Sequence, residues 1–593
     1  MKALAYLNKF LWKYRGRLFL GFVFILASNI IQAIMPTIVQ EAVDQFKLFI
    51  EQYATAESKE VFYKEKILPF AAYVILMYLG LAVLRAIFVF MMRQTIIIVS
   101  RLIEYDLKND VYDQYQRLSL SFYKKNNTGD LMNRISEDVS KVRTYLGPGL
   151  MYPMNLICLF TVTLIFMLDK SVELTLWTLI PLPIMSVLIY FVSSTMNKRS
   201  ERVQHQQSRL TTFVQEMFSG IRVIKSYNRH EEALDTFTDQ SNEYKKRSLR
   251  LVMINAFFLP IIMLLIGLST IITIYVGGLK TVNGEISYGD IVQFVIYVNM
   301  LTWPFASIGW VTSIVQRAAA SQERINEFMQ EKPDIVSGPD KITRFEGKLE
   351  FKDVSFEYPK TKIQALNNVS FSIEPGKTLA IIGRTGSGKS TISDLAARLY
   401  DPTKGKVILD NTPLYQYDLK AFRSNIGYVP QEVFLFSDTI ANNIGFGLER
   451  EYSLEEIQEA AINAHIDHNI QTFTDGYQTI MGERGITLSG GQKQRISIAR
   501  ALIRKPGILI LDDCLSAVDT ETEEVILNNL KTIMSNTTTI INSHRISSIQ
   551  HADEIIVLDS GTIVERGKHE ELLNKQGVYF KLYEKQLAED SRE

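Results

Sequence analysis

The sequence predicts an α-helical membrane domain followed by an α/β domain of the phosphate-loop type, and three features of its 593 residues predict this fold. The first half contains six long stretches that are almost free of charge. An apolar run ending at Ile382 leads into the Gly-rich residues 383–390 and then into helix-forming residues. A further apolar run, residues 508–511, ends in two acids. The apolar residues are therefore concentrated in the first half and the motifs in the second.

The six charge-poor stretches are each long enough to cross a hydrocarbon core of about 30 Å as a helix. They cover residues 18–39, 67–92, 144–168, 174–197, 251–279 and 291–316. We expect these six spans in a membrane domain over 1–320, a polar linker over 321–345 and a soluble domain over 346–593. The aromatic and basic residues 1–17 suit a short interfacial helix rather than a cleavable signal peptide.

Positive charge near the ends of the spans predicts their orientation. The connections 93–143 and 198–250 carry nine and eleven Lys or Arg residues, far more than the opposite connections. We therefore expect a multi-pass protein of the cell membrane with both connections, both termini and the second domain in the cytoplasm. The two connections are too long for simple loops, and their patterning predicts helical projections.

Arg85 is the one charged residue within the six stretches. Its side chain either faces a water-filled pathway or lies near the cytoplasmic end of the span and extends toward the interface. The formal net charge of the chain is zero, so the composition gives no basic surface of the kind that binds nucleic acid. The two cysteines, Cys158 and Cys514, predict no disulfide framework.

Residues 383–390, Gly-Arg-Thr-Gly-Ser-Gly-Lys-Ser, have the composition of a phosphate cradle between a strand and a helix. Backbone N–H groups and the helix N-terminus would face the phosphates, Lys389 would reach the outer phosphates and Ser390 could bind Mg²⁺. We expect ATP and Mg²⁺ as the cofactors. The expected phosphate contacts are Gly383, Arg384, Thr385, Gly386, Ser387, Gly388, Lys389, Ser390 and Thr391.

Three further segments belong to the same predicted site. The strand ending near Tyr358 offers an aromatic ring on which a nucleobase could stack. Asp512, the first acid after the buried strand 508–511, would help to hold Mg²⁺. Ser489, Gly490, Gly491 and Gln492 begin a helix whose N-terminus is a second anion-binding surface.

These motifs, in this order, resemble those of ATP-binding cassette (ABC) proteins: a Walker A motif at 383–390, the signature Leu-Ser-Gly-Gly-Gln at 488–492 and a Walker B strand ending at Asp512. With the six spans, nearly the whole chain resembles an ABC exporter half-transporter of the bacterial multidrug type. The resemblance implies ATP hydrolysis coupled to export, a lipid bilayer as environment and a hydrophobic or amphipathic substrate such as a drug or lipid. Peptide export remains open.

The resemblance also implies roles for further residues. Tyr358 corresponds to the base-stacking residue, Gln431 to the glutamine that binds Mg²⁺ and senses the membrane domain, and His544 to the switch histidine near the γ-phosphate. Residues 483–485 correspond to the X-loop and 516–519 to the D-loop, and coupling helices are expected near 121–126 and 228–233. Because the family places ATP between two cassettes, a second half-transporter is expected as partner.

Asp513 departs from the family pattern, in which a catalytic Glu follows the Mg²⁺ aspartate. Asp is one methylene shorter, and a displacement of about 1 Å at the reacting centre can cost about a hundredfold in rate. We therefore expect a degenerate ATP site at Asp513, in a heterodimer whose other chain has an intact Glu. A homodimer with two slow sites and a regulatory subunit with little turnover of its own remain alternatives. A soluble cassette protein acting on nucleic acid is excluded by the six spans.

Overall fold

The computed structural model describes residues 2–56, 58–340, 345–482 and 488–590, apart from a few side chains within helices. The chain divides into two compact units. Unit 1 contains Met1–Gln114 and Gly129–Gln330, and unit 2 contains Tyr115–Thr128 and Glu331–Glu593. A short internal segment of the first long connection, Tyr115–Thr128, thus belongs to the same unit as the second half of the chain.

Helices make up the described part of unit 1. The helices up to residue 330 are α1 (Asn8–Lys13), α2 (Arg15–Thr55), α3 (Lys59–Phe62), α4 (Leu68–Arg117), α5 (Leu120–Lys125), α6 (Thr128–Asn133), α7 (Val139–Thr144), α8 (Leu150–Lys170), α9 (Val172–Leu179), α10 (Pro181–Ser219), α11 (Ile221–Ser226), α12 (His230–Val282) and α13 (Tyr288–Gln330). A 3₁₀ segment, Lys2–Leu7, precedes them, and π-helical turns at Tyr63–Ile67, Arg134–Asp138 and Tyr145–Gly149 join neighbouring helices.

Five helical stretches in the described part of the chain are long and apolar enough to cross a membrane. They are Arg15–Thr55, Lys59–Arg117, Thr128–Lys170, Val172–Ser219 and His230–Val282. The sixth predicted span lies within α13, some of whose side chains fall outside the described set. The predicted fold class is confirmed, with helices that extend well beyond the apolar stretches.

Buried polar contacts join the helices inside unit 1. The Tyr297 hydroxyl on α13 donates to the carbonyl of Ala33 on α2 (2.8 Å) and accepts from the Gln293 amide (3.0 Å). Ser269 on α12 donates to the carbonyl of Thr178 on α9 (2.7 Å). These buried hydrogen bonds fix the position of each helix along its neighbour, which non-directional apolar packing alone does not specify.

Arg85 directs its guanidinium toward α2, where one Nη donates to Oε1 of Gln32 (2.8 Å). Gln32 lies 14 residues beyond Leu18, so it is about 21 Å along a charge-free helix at 1.5 Å per residue. This hydrogen bond holds the half-buried guanidinium against α2.

Two boundaries in unit 1 differ from expectation. The short helix of the second projection is α11, Ile221–Ser226, rather than a helix near 228–233, because Gly220 ends α10 and Asn228 adopts a left-handed backbone (φ 52°). Residues 321–330, assigned to the linker, are the last turns of α13. They stay helical because Ile325 and Phe328 are buried.

Unit 2 contains two sheets. The strands are β1 (Leu349–Glu357), β2 (Gln364–Ile373), β3 (Thr378–Gly383), β4 (Lys404–Leu409), β5 (Thr412–Pro413), β6 (Ile426–Val429), β7 (Ile508–Asp512), β8 (Thr538–Asn542), β9 (Glu554–Asp559) and β10 (Thr562–Gly567). One sheet has the antiparallel order β2-β1-β4-β5 and the other has the order β10-β9-β3-β8-β7-β6.

The helices of unit 2 after residue 330 are mostly short. They are α14 (Lys389–Ala396), α15 (Leu419–Ser424), α16 (Ile440–Gly445), α17 (Leu454–Asn463), α18 (Asp467–Gln471), α19 (Gly490–Leu502), α20 (Thr520–Met534), α21 (His569–Asn574) and α22 (Val578–Asp590), with 3₁₀ turns at Leu414–Gln416 and Gly476–Gln478.

The six-stranded sheet brings the second-half motifs to one edge. Strands β9, β3, β8, β7 and β6 run parallel, so their carboxyl ends lie on the same side. The register pairs Asp512 of β7 with Asn542 of β8, and Asn542 with Ile381 of β3. Such an edge is where ligands bind in open α/β sheets.

Candidate nucleotide site

The Gly-rich loop 383–388 connects β3 to α14 by a backbone path that other residues would strain. Gly386 and Gly388 have φ of 81° and 105°, in the region that favours glycine. A Cβ on Gly383 would lie 2.1 Å from the carbonyl oxygen of Leu558. The loop therefore needs its glycines at these positions, and α14 begins directly after it at Lys389.

Lys389 is buried and turns its ammonium back into the loop. Its Nζ donates to the carbonyls of Gly383 (2.9 Å) and Arg384 (3.1 Å). Burial lowers the pKa of Lys389, while the Asp513 and Asp512 carboxylates act in the opposite direction. The Ser387 hydroxyl is buried and finds no hydrogen-bond partner within the described residues. An unpaired donor beside a buried ammonium fits a phosphate group held by this loop.

Ser390, Asp512 and Asn542 form a second cluster beside the loop. The Ser390 hydroxyl donates to Oδ1 of Asp512 (3.1 Å), and the Asn542 amide donates to the same oxygen (2.8 Å). Burial raises the pKa of Asp512, and these two hydrogen bonds oppose that rise. A carboxylate and a hydroxyl at one point are the oxygen ligands that Mg²⁺ prefers, so the residues fit that ion.

Asn542 was not singled out from the sequence as a site residue. Its amide also donates to the carbonyl of Lys389 (3.0 Å) and to the hydroxyl of Ser393 (2.8 Å). It therefore ties β8 to both the Walker B strand and α14. In the sequence, Asn542 is marked only by its position at the end of an apolar strand. That this strand lies between β3 and β7 follows from the sheet order, which the sequence does not give.

Asp513 follows β7 with a left-handed backbone (φ 49°). The Gln431 amide donates to Oδ2 of Asp513 (3.1 Å), and the Ser516 hydroxyl donates to its backbone carbonyl (2.9 Å). Gln431, predicted as a Mg²⁺ ligand, thus contacts the neighbouring acid rather than Asp512. The predicted water-orienting carboxylate and the predicted Q-loop glutamine lie side by side.

His544 lies two residues after β8. Its pKa is lowered, chiefly by burial and then by the charge of Lys389, with Asp513 and Asp512 acting in the opposite direction. These interactions place the imidazole in the field of the phosphate loop and of both acids. The structure therefore gathers the predicted Walker A, Walker B, Q-loop and switch residues at one edge of the sheet.

Tyr358, one residue past β1, lies against α14. Its hydroxyl is 3.0 Å from the hydroxyl of Thr391 on α14. Its ring meets Phe356 edge-on, with centroids 4.9 Å apart. Tyr358 is thus attached to the helix that begins at Lys389, and its ring is only partly buried.

The signature residues occupy a different position. Ser489 caps α19: its hydroxyl accepts from the Gln492 backbone (3.3 Å), and the Gln492 side chain accepts from the Ser489 backbone (3.0 Å). A Cβ on Gly491 would lie 2.9 Å from the Ala517 carbonyl, in the predicted D-loop. In the described part of the chain no hydrogen bond joins residues 488–492 to residues 383–391. The predicted X-loop, 483–485, lies outside the described residues.

Comparisons with known proteins identify the family of both halves of the chain. The family model of the ABC transporter transmembrane region matches residues 18–305, and the ABC transporter model matches residues 366–516. The chain is 36% identical over 520 residues to the multidrug resistance-like ATP-binding protein MdlA of Escherichia coli (strain K12), covering 87% of this chain and 88% of the relative. It is 34% identical over 514 residues to the ATP-dependent lipid A-core flippase of Vibrio vulnificus (strain YJ016), with coverages of 87% and 88%.

A solved structure of a bacterial Atm1-family ABC exporter with ATP bound has the same fold. It superimposes with a TM-score of 0.78 at 25% sequence identity, covering 97% of this chain and 99% of that one. Both the helical half and the cassette half are therefore included in one match.

Proposed function

This chain belongs to the ABC transporter family, and from that premise we propose that it is one subunit of a heterodimeric exporter whose own ATP site is degenerate. It is a multi-pass membrane protein of the multidrug and lipid flippase type, with an ATPase domain coupled to transport. The proposal concerns the partner, the site residues, the orientation and the substrate.

In the proposed reaction ATP binds along the loop 383–391 with its base on Tyr358. Lys389 exchanges the carbonyls of Gly383 and Arg384 for phosphate oxygens, and Ser387 donates its unpaired hydroxyl to phosphate. A Mg²⁺ ion, when bound by Ser390 and Asp512, neutralises charge on the phosphates. The neutral imidazole of His544 faces the terminal phosphate from the end of β8.

Asp513 is the observation that carries the degenerate-site proposal. In the proposed role its carboxylate orients the attacking water, but its short side chain is held by the Gln431 amide at 3.1 Å. A carboxylate set back by one methylene places the water poorly, and a misplacement of about 1 Å can cost about a hundredfold. The signature residues 488–492, by contrast, match the family motif in full.

The signature supports the proposal of a second subunit. Ser489 and Gln492 hydrogen-bond to each other, and within the described residues Ser489 and Gly490 are exposed at the N-terminus of α19, where we propose that an anion from another chain binds. We therefore assign the signature of this chain to the partner's Walker motifs, where an intact Glu would drive hydrolysis. A homodimer with two slow sites and a regulatory subunit are the alternatives that the test must separate.

The proposed substrate is a hydrophobic or amphipathic compound, either a drug or a lipid. The spans present many large apolar side chains at their surface, including Leu76, Leu79 and Val83 of α4, and carry a single charge, Arg85. The nine and eleven basic residues of the two long connections support a cytoplasmic cassette.

Transport into inverted membrane vesicles tests this function. Vesicles from cells that co-express the chain with a candidate half-transporter should accumulate a hydrophobic fluorescent dye when ATP is added outside. Right-side-out vesicles should not, because the cassettes would then face the lumen. Lys389→Met should lower the uptake rate severalfold, whereas Lys404→Met, at an exposed lysine of β4, should not. Uptake that is independent of ATP, or equal in both vesicle orientations, would refute the proposal.

A further inference from the structure

Helix α5 belongs to unit 2, together with the segment 331–335 and the nucleotide-binding residues. The backbone N–H of Ile335 donates to the Ser119 hydroxyl just before α5 (2.9 Å), and the Ser121 hydroxyl donates to the Asp334 carboxylate. Leu120 packs against the core formed by β1, β2 and α14. These contacts fix α5 next to the end of β1, where Tyr358 lies.

Lys124, on the last turn of α5, reaches the proposed base-stacking residue directly. Its Nζ lies 5.6 Å from the ring centroid of Tyr358 and 5.6 Å from that of Tyr400. The two rings are perpendicular (87°), with centroids 5.8 Å apart. The ammonium is therefore shared by two electron-rich rings at the edge of the site, within the range of a cation–π interaction.

A buried acid lies behind these rings. Asp394 on α14 accepts a hydrogen bond from the Tyr428 hydroxyl (3.3 Å). Burial raises the pKa of Asp394, and Lys124 is the leading charge that opposes the rise. No ion pair of Asp394 within 4.0 Å is found in the described part of the chain. The charge of Asp394 therefore attracts the Lys124 ammonium and favours its position beside the two rings.

A cavity of about 880 Å³ opens at this point. Lys124, Tyr358, Lys360 and Tyr400 are among the residues that line it. Its volume falls in the range of sites for small organic ligands and exceeds what a nucleobase with its ribose needs. The base end of the proposed ATP site is thus roomy, aromatic and bordered by an ammonium from α5.

We propose that Lys124 is part of the nucleobase site, where it donates a hydrogen bond to a ring nitrogen of the purine stacked on Tyr358. A lysine ammonium has three donors and no acceptor, and a purine edge offers unprotonated ring nitrogens. Bound nucleotide then connects α5, which follows the membrane-spanning helix α4 in the chain, to the cassette residues at Tyr358 and Thr391. This inference rests on the proposed function, because it assumes that ATP binds here.

Nucleotide affinity measured on the full chain, in its assembly, tests the proposal. Equilibrium binding of ATP and of inorganic tripolyphosphate, which has no base, is compared for wild type and Lys124→Met. ATP should bind about tenfold more weakly to the variant, the effect of one lost hydrogen bond to a charged group. Tripolyphosphate affinity should be unchanged, since the phosphate contacts are intact.

Three further variants separate base recognition from a structural role. Lys404→Met removes an exposed lysine of β4 that does not line this cavity and should bind ATP like wild type. Lys124→Arg should restore most of the affinity. In a Tyr358→Leu background, Lys124→Met should cause no additional loss, because the base is no longer held beside the ammonium.

The outcomes distinguish this inference from the proposed function. If wild type binds and hydrolyses ATP but Lys124→Met binds it normally, the role of Lys124 is wrong and the exporter proposal stands. An equal loss for tripolyphosphate, or a further loss in the Tyr358→Leu background, would also overturn it. Failure of wild type to bind ATP would refute both.

Discussion

The His544 imidazole is partly buried and feels the charges of Lys389, Asp513 and Asp512, which together set the pH at which it is protonated. Burial and the nearby Lys389 lower its pKa below the usual 6.5, against the opposing effect of Asp513 and Asp512. The free enzyme should therefore keep a neutral imidazole as the pH falls through 6.5. The same shift makes the folded state less stable below pH 6.5, because the unfolded chain binds more protons there.

Titration of the histidine imidazole signals by NMR checks this prediction, because it reports protonation of the nucleotide-free protein without depending on turnover. The midpoint of the His544 titration should lie below pH 6.5, and His544→Gln should remove that signal. His551→Gln, at an exposed histidine in the same unit, should leave that signal unchanged. A His544-dependent midpoint above pH 6.5 would contradict the described environment.

Some residues of the site have a local sequence pattern that predicts them, and others do not. Residue type and spacing predicted the positions of Lys389, Ser390 and Asp512, because a phosphate loop and an acid-ended strand are local patterns. The bonds of Asn542 depend on which strands are neighbours, and the position of Lys124 depends on a segment far away in sequence. Neither relationship leaves a local pattern in the sequence.

Helices α19 and α17 have the same type of N-terminal cap, so a cap variant of α17 is a matched control for one of α19. Both helices begin with a serine in a complete capping box: Ser489 with Gln492, and Ser453 with Glu456. Replacing either serine by alanine should destabilise its helix by about 1 kcal/mol. Only Ser489→Ala should also reduce ATP turnover, since only α19 is proposed to face the partner's phosphates.

Thermal unfolding and ATPase rates of the purified assembly compare the two variants. Similar shifts in Tm, with turnover lowered severalfold in Ser489→Ala alone, would support the assignment of the signature to catalysis. Equal turnover in both variants would mean that Ser489 acts only as a cap.

Elements with a strong local pattern matched expectation, and those set by packing or backbone breaks did not. The strand predicted over 349–358 is β1, and the helix predicted after the signature is α19. The second projection differs because Asn228, not a change in hydrophobicity, ends its short helix. The last turns of α13 were predicted to be polar linker, but they remain helical because Ile325 and Phe328 are buried.

For the whole molecule, the fold class followed from the contrast between its halves. Charge-poor stretches long enough to span a bilayer precede a cassette whose motifs come in the family order. The oligomeric assembly could not be predicted from the sequence in this way, because it depends on a surface that another chain would cover. The proposed asymmetric assembly therefore depends on two features of this chain, Asp513 and the intact signature.

The ATPase rate of the reconstituted assembly under changes at Asp513 tests that claim most directly. Wild type, Asp513→Glu and Asp513→Asn are compared, together with an assembly whose partner lacks its own catalytic glutamate. We expect the partner change to abolish turnover, Asp513→Asn to leave most of it, and Asp513→Glu to leave it unchanged or raise it modestly. Brisk hydrolysis by this chain alone that Asp513→Asn abolishes would contradict the account, because Asp513 would then be a working catalytic base.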